Sequence, residues 1–276
     1  MKVILCAFNL DFKRLELLKI CLYSIHRNTD YEIFVFYDNT IEKSFFEEIR
    51  NRRMRVRFIA FDFETNKNIE VASQKMFIWD EFIKNERDGE NVILSDMDTL
   101  YLDSMDEVFD NDFDIAFTAK DDMKAVYPLN TGIVFVRVND NSRIAINKWK
   151  VETEKILNDS IALKNAMNVF GGADQKALSA ILGRERNFHG YIEFDGTKFY
   201  GLQASVYNLH KDWSNIQFAK MIHYKSSWKD VLNYNENDYD KILLMYKPCW
   251  FVISWKISYD LWKSYQTEYY SEGCHI

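Results

Sequence analysis

Apolar residues in the first hundred positions come in short runs, separated by stretches with helical spacing. Residues 3–8 form a continuous apolar run of the kind that makes a buried strand. Leu15, Leu18, Leu22 and Ile25 follow at steps of three and four, which line one face of a helix. The alternation continues with a strand expected over 32–37, a helix over 41–50 and a strand over 56–61. A longer helix is expected over 68–84, with Val71, Lys75, Ile78 and Phe82 spaced along it. A fourth strand over 91–95 stops abruptly in acidic residues. Strands alternating with helices predict an α/β fold, with a mainly parallel sheet flanked by helices.

Beyond residue 100 the rhythm changes. Strands are predicted over 114–119 and 132–138, on either side of a polar loop that contains Pro128. Helices are predicted over 142–157 and 172–182. From Gly190 onward the chain is aromatic-rich and reads as irregular, apart from a late strand over 221–224. Positions 238–270 carry Tyr, Trp and Leu at mixed spacing and predict a helical segment packed on the main body. Nothing resembling a linker, repeat or low-complexity stretch interrupts the chain, which predicts one domain with a C-terminal extension.

Composition narrows the functional classes. The chain has 276 residues, 47% hydrophobic and 28% charged, which is globular and excludes a disordered tail protein. With 35 Lys and Arg against 42 Asp and Glu, the net charge is −7, which argues against a broad nucleic-acid surface while leaving room for a local anion pocket. Cys6, Cys21, Cys249 and Cys274 form no Cys-x-x-Cys pair, so free thiols in a reducing compartment are expected. No apolar run approaches the roughly 18–20 residues that span a bilayer. The run at 3–8 is too short for a signal-peptide core. A cytoplasmic protein with no transmembrane segment is the expectation.

The strongest chemical feature is the run Val92-Ile93-Leu94-Ser95-Asp96-Met97-Asp98-Thr99. A buried strand ending in Asp-x-Asp puts two carboxylates at the carboxyl edge of the sheet, where ligands of open α/β sheets bind. Such oxygens suit manganese or magnesium, which can bridge a diphosphate. Asp-x-Asp also arises by chance in an acid-rich chain, as at Asp110/Asp112, Asp112/Asp114 and Asp238/Asp240, but none of those closes an apolar strand.

Residues 73–109 (SQKMFIWDEFIKNERDGENVILSDMDTLYLDSMDEVF) resemble the glycogenin-like glycosyltransferases of family 8, in which a Lys-bearing helix leads to a strand, an Asp-x-Asp and a following D-T-L-x-L run. Three further blocks occur in the family's order: Asn130-Thr131-Gly132-Ile133-Val134-Phe135-Val136, then Phe170-Gly171-Gly172-Ala173-Asp174-Gln175, then His223-Tyr224-Lys225-Ser226-Ser227-Trp228-Lys229. The resemblance implies a GT-A-type, Rossmann-like nucleotide-sugar transferase domain over 1–229, and leaves 230–276 as the aromatic-rich extension. It also implies a hexosyl- or pentosyltransferase that uses a UDP-sugar donor and a glycan or glycoprotein acceptor, with retention at the anomeric carbon. Acids near the sugar fit an inverting general base equally well.

Carried over residue by residue, the resemblance implies Asp96, Asp98 and His223 as metal ligands, with Met97 between the two acids. It implies Ala7, Phe8 and Asn9 around the uridine and Lys75 near the nucleotide-sugar. Asn130 and Thr131, with Asp121 or Asp122, would face the sugar hydroxyls. Asp174 and Gln175 would lie beneath the anomeric carbon, and Ser226 and Lys229 at the diphosphate. Ser226 stands where the family usually has Gly, which lets backbone approach phosphate closely.

Each residue also has an ordinary structural reading. Lys75 and Lys229 fit solvated surface positions, and His223 fits a hydrogen-bonded core histidine. Asp174 fits a first-turn helix charge, and residues 130–132 fit a simple turn. Two other functions compete: a sugar-nucleotidyltransferase, although the Gly-rich basic loop of that class does not follow the first strand, and a non-catalytic nucleotide-sugar or glycan-binding module. The aromatic extension suits an acceptor groove, a homodimer contact or a membrane-bound acceptor.

Overall fold

A computed structural model describes residues 1–61, 71–119, 129–183, 189–209, 213–224 and 249–272. The first strand, β1 (Lys2–Ala7), lies inside an eight-stranded sheet and is covered on both faces. Val3, Leu5 and Ala7 enter one hydrophobic core, while Ile4 and Phe8 enter the other. That alternation explains why the run is apolar throughout instead of every second residue. Helix α1 (Phe12–Asn28) follows, its start capped by the Asp11 carboxylate, which accepts from the Arg14 amide at 2.9 Å.

The chain then adds β2 (Glu32–Tyr37), α2 (Lys43–Asn51) and β3 (Val56–Ala60). After a 3₁₀ turn at Val71–Gln74 come α3 (Lys75–Asn85) and β4 (Asn91–Ser95). β5 (Thr99–Tyr101), β6 (Ile115–Ala119) and β7 (Leu129–Arg137) precede α4 (Asp140–Leu157), α5 (Ser160–Asn165) and α6 (Ala173–Ile181). β8 (Gly190–Phe194), β9 (Thr197–Gln203), the short α7 (Ala204–Tyr207), β10 (Met221–His223) and α8 (Cys249–Glu272) complete the described elements.

The sheet order is β3-β2-β1-β4-β7-β6-β9-β8. Strands β1 to β4 pair in parallel, as do β6 and β9, whereas β7 runs antiparallel to both β4 and β6, and β8 antiparallel to β9. The α/β alternation is therefore as expected, with a mixed second half. Helices α3, α4 and α6 cover one face, where Trp79 and Trp149 meet edge to face at 5.9 Å. Helices α1 and α8 pack on the other, together with a small ribbon in which β5 pairs antiparallel with β10.

Several expectations shift. The helix expected from residue 68 becomes α only at Lys75, and 62–70 lie outside the described residues. The strand expected from 132 begins three residues earlier, at Leu129. Residues 190–203, read as irregular, form the β8–β9 hairpin. Its turn is Asp195-Gly196, with φ of 52° and 76°, the two left-handed residues of a tight hairpin loop. An Asp-Gly pair between aromatic runs is the standard cue for such a turn, and the aromatic crowding masked it.

Candidate active site

The Asp-x-Asp sits where β4 leaves the sheet. The Asp96 amide donates to the Gly132 carbonyl at 2.8 Å, which extends the β4–β7 pairing by one step. The Thr99 hydroxyl donates back to the Asp96 carbonyl at 3.0 Å and closes the turn. Thr99 then opens β5, whose register partner on β10 is His223. This ribbon carries a histidine 125 residues downstream onto the two acids: His223 Nε2 lies 3.1 Å from Asp98 Oδ1 and 3.5 Å from Asp96 Oδ2. Asp98 and His223 are buried, and Asp96 is partly exposed. One ligand atom from each of the three lies within 4.8 Å of the others.

Gly132 makes room for this arrangement. A Cβ there would stand 2.2 Å from His223 Cε1 and 2.3 Å from Nδ1, closer than any carbon can approach. The requirement is steric and does not concern backbone conformation. His223 Nδ1 in turn lies 2.9 Å from Asn208 Oδ1.

A second cluster adjoins the first. Lys75 opens α3 and is buried, with Nζ donating to Asp96 Oδ1 at 2.8 Å and to the Thr131 carbonyl at 3.1 Å. The same Nζ lies 3.2 Å from Asp174 Oδ2 and sits over the Trp79 ring at 4.9 Å. Burial alone would pull its pKa down, but the charges of Asp174 and Asp96 outweigh burial and hold it above the ordinary lysine value. Lys75 therefore stays a cation at neutral pH. The solvated-surface reading of Lys75 does not hold.

Asp174, in the first turn of α6, accepts from the Thr131 hydroxyl, and its backbone carbonyl accepts from the Trp149 indole at 2.7 Å. Gln175 accepts from the Thr131 amide at 3.4 Å and donates to the Phe170 carbonyl. Asn130 is buried, and its side-chain oxygen accepts from the Gly132 amide at 2.8 Å. Its side chain thus braces the strand beside His223.

At the end of β1, Ala7 and Phe8 are buried, and Asn9 is exposed with φ of 48°. The Asn9 amide donates to Asp38 Oδ2 at 2.8 Å, so the turn after β1 is clamped from the end of β2. Met97 is half-buried and packs on the core containing β5 and α1. Asp121, Asp122, Lys225, Ser226 and Lys229 lie outside the described residues. Three contributors escaped the reading of the sequence: Asn208, Thr118 behind it, and Asp38. None stands in a recognisable motif, and only the fold brings them to the site.

The family described as nucleotide-diphospho-sugar transferase matches residues 33–231. No curated protein matches the chain in sequence. Among solved structures, the glycosyltransferase GlyE of Streptococcus pneumoniae TIGR4 superposes with a TM-score of 0.55 at 16% identity, covering 98% of this chain and 64% of GlyE. The bifunctional enzyme WbbM gives 0.53 at 15% identity, over 84% of this chain and 49% of WbbM. An active-site mutant of LgtC gives 0.50 at 13% identity, over 82% and 88%. The chain spans less than two thirds of the length of the GlyE and WbbM chains. At these identities the structural likeness speaks for the fold, and the family match covers most of the chain. This protein belongs to the nucleotide-diphospho-sugar transferase family and has a GT-A-type α/β fold.

Proposed function

We propose that the protein is a metal-dependent glycosyltransferase that moves a sugar from a UDP-sugar to a glycan or protein acceptor, with retention. The observation that carries this reading is the convergence of Asp96 and Asp98, in the turn after β4, with His223, 125 residues downstream on β10, onto one point at the sheet edge. The residues fit a divalent cation. Two ligand atoms about 2.1 Å from one octahedral ion and at right angles stand about 3 Å apart, and His223 Nε2 lies 3.1 Å from Asp98 Oδ1. Two carboxylates and one imidazole form an oxygen-and-nitrogen set that manganese accepts, with magnesium as the harder alternative. When bound, such an ion supplies positive charge to a diphosphate leaving group.

The chain's own residues would do the rest. Lys75 is a buried, permanently charged contact between the metal carboxylate Asp96 and the neighbouring Asp174. It would hold Asp174 aimed beside the bound sugar, where a carboxylate stabilises developing positive charge at the anomeric carbon. Gln175 and Thr131 would orient the sugar, with Asn130 bracing them. The turn at Ala7, Phe8 and Asn9 would hold the uridine, with the Asn9 backbone set by Asp38. Lys229 and Ser226 would meet the phosphates, and Asp121 or Asp122 the sugar hydroxyls. We also propose that α8 belongs to the same folding unit as the catalytic domain, since Trp262, Tyr265 and Tyr269 enter the core shared with α1.

The test is a donor screen. The protein is incubated with manganese and each UDP-sugar, and UDP release is followed. Release with one donor, abolished by chelator, is the expected result. UDP binding with no turnover, and no slow donor hydrolysis for any sugar, would instead indicate a binding module.

A further inference from the structure

The orientation of His223 is set from behind. The Thr118 hydroxyl on β6 donates its single proton to the Asn130 carbonyl at 3.2 Å. Toward Asn208 it can therefore only accept, and it does so from Asn208 Nδ2 at 2.8 Å. With its amide nitrogen committed to Thr118, Asn208 turns its carbonyl oxygen to His223 Nδ1 at 2.9 Å. An amide oxygen facing a ring nitrogen at that distance requires a proton on Nδ1, whatever Nε2 shares with Asp98 Oδ1 at 3.1 Å on the other side of the ring. Thr118 and Asn208 are 0% exposed and His223 is 1%, so water does not compete for these bonds.

Backbone pairing holds the relay in register. Asn208 caps α7, its amide donating to the Ala204 carbonyl at 3.0 Å. The adjoining Leu209 bridges Ile222 in parallel, with the His223 amide donating to the Leu209 carbonyl at 2.9 Å.

We infer that Asn208, held by Thr118, is a positioning residue that keeps a proton on Nδ1 of His223 and so leaves Nε2, the nitrogen that faces Asp98 and Asp96, as the one that ligates a cation between them. The inference rests on the proposed metal site. The chemistry is that of outer-shell control, in which the partner of the non-ligating nitrogen fixes tautomer and ring plane.

The experiment uses the full chain, with two readouts. Histidine ¹⁵N–¹H spectra of metal-free protein report which ring nitrogen of His223 carries a protected proton, and Mn²⁺ titration reports affinity. Wild type should show a protected Nδ1 proton. Asn208→Asp, which still offers an oxygen to Nδ1, should keep that signal and bind Mn²⁺ within about threefold of wild type. Asn208→Ala should lose the protected signal and bind about 10–100-fold more weakly. Thr118→Val, close to isosteric, frees the Asn208 amide to rotate and should also weaken binding.

A wild-type Nδ1 without a proton overturns the inference, and so does an Asn208→Ala affinity equal to wild type. Asn208→Asp binding as weakly as Asn208→Ala would reduce Asn208 to a packing residue. If wild type binds no Mn²⁺ the metal reading fails, and the ring-proton signal alone then decides the relay.

Discussion

At the scale of single residues, the site depends on what is missing as much as on what is present. Gly132 has no side chain where the His223 ring lies, and a Cβ there would sit 2.2 Å from the ring. We expect Gly132→Ala to push His223 off Asn208 and away from Asp98. Overpacking of this kind costs about 1–3 kcal/mol. The more specific effect would be a loss of Mn²⁺ affinity of at least about tenfold, measured by titration on protein that still unfolds cooperatively. Unchanged affinity would mean that His223 is not where its contacts put it. Lys75 shows the opposite economy, one buried cation serving two carboxylates, which explains how Asp174 is tolerated at 4% exposure.

At the scale of elements, the first half of the chain was legible from periodicity. The predicted strands over 32–37 and 91–95 match β2 and β4 to the residue. Each is an unbroken apolar run bounded by polar residues, and burial on both faces leaves one way to read it. The β8–β9 hairpin was not legible, because its exposed edge strand mixes Tyr191, Ile192 and Phe194 with no clean alternation. Only Asp195-Gly196 marks the turn.

The ribbon of β5 with β10 is three residues on each strand, too short for any sequence signal of pairing. The order of motifs hinted that His223 reaches Asp98, and the ribbon shows how. Helix α8 reinforces that ribbon. Trp262 meets Tyr224, the neighbour of His223, edge to face at 5.0 Å, and the Tyr269 hydroxyl donates to Glu48 on α2 at 2.6 Å. Trp262→Ala should therefore destabilise the whole protein by about 3–5 kcal/mol in urea unfolding, as a single transition. A separate early transition, with the remainder unaffected, would make α8 an independent appendage.

At the scale of the molecule, the net charge of −7 gains a local meaning. Asp96, Asp98 and Asp174 gather acidity at the sheet edge, and among the described residues Lys75 is the buried lysine between them. A divalent ion bound there would add positive charge, which a diphosphate would in turn complement. The fold class was readable from the chain, and so was the placing of Asp96 and Asp98 at the carboxyl end of a buried strand. The outer supports at Thr118, Asn208 and Asp38 were not, because isolated polar residues acquire a role only when distant strands are brought side by side.

The most direct test of this account is calorimetric titration of UDP into the full chain, with Mn²⁺ and with chelator, for wild type and Asp98→Asn. Binding should require Mn²⁺ in wild type and fall by at least about tenfold in Asp98→Asn, with an unchanged circular dichroism spectrum. UDP binding that is equal with and without Mn²⁺, or equal in the two proteins, would contradict it.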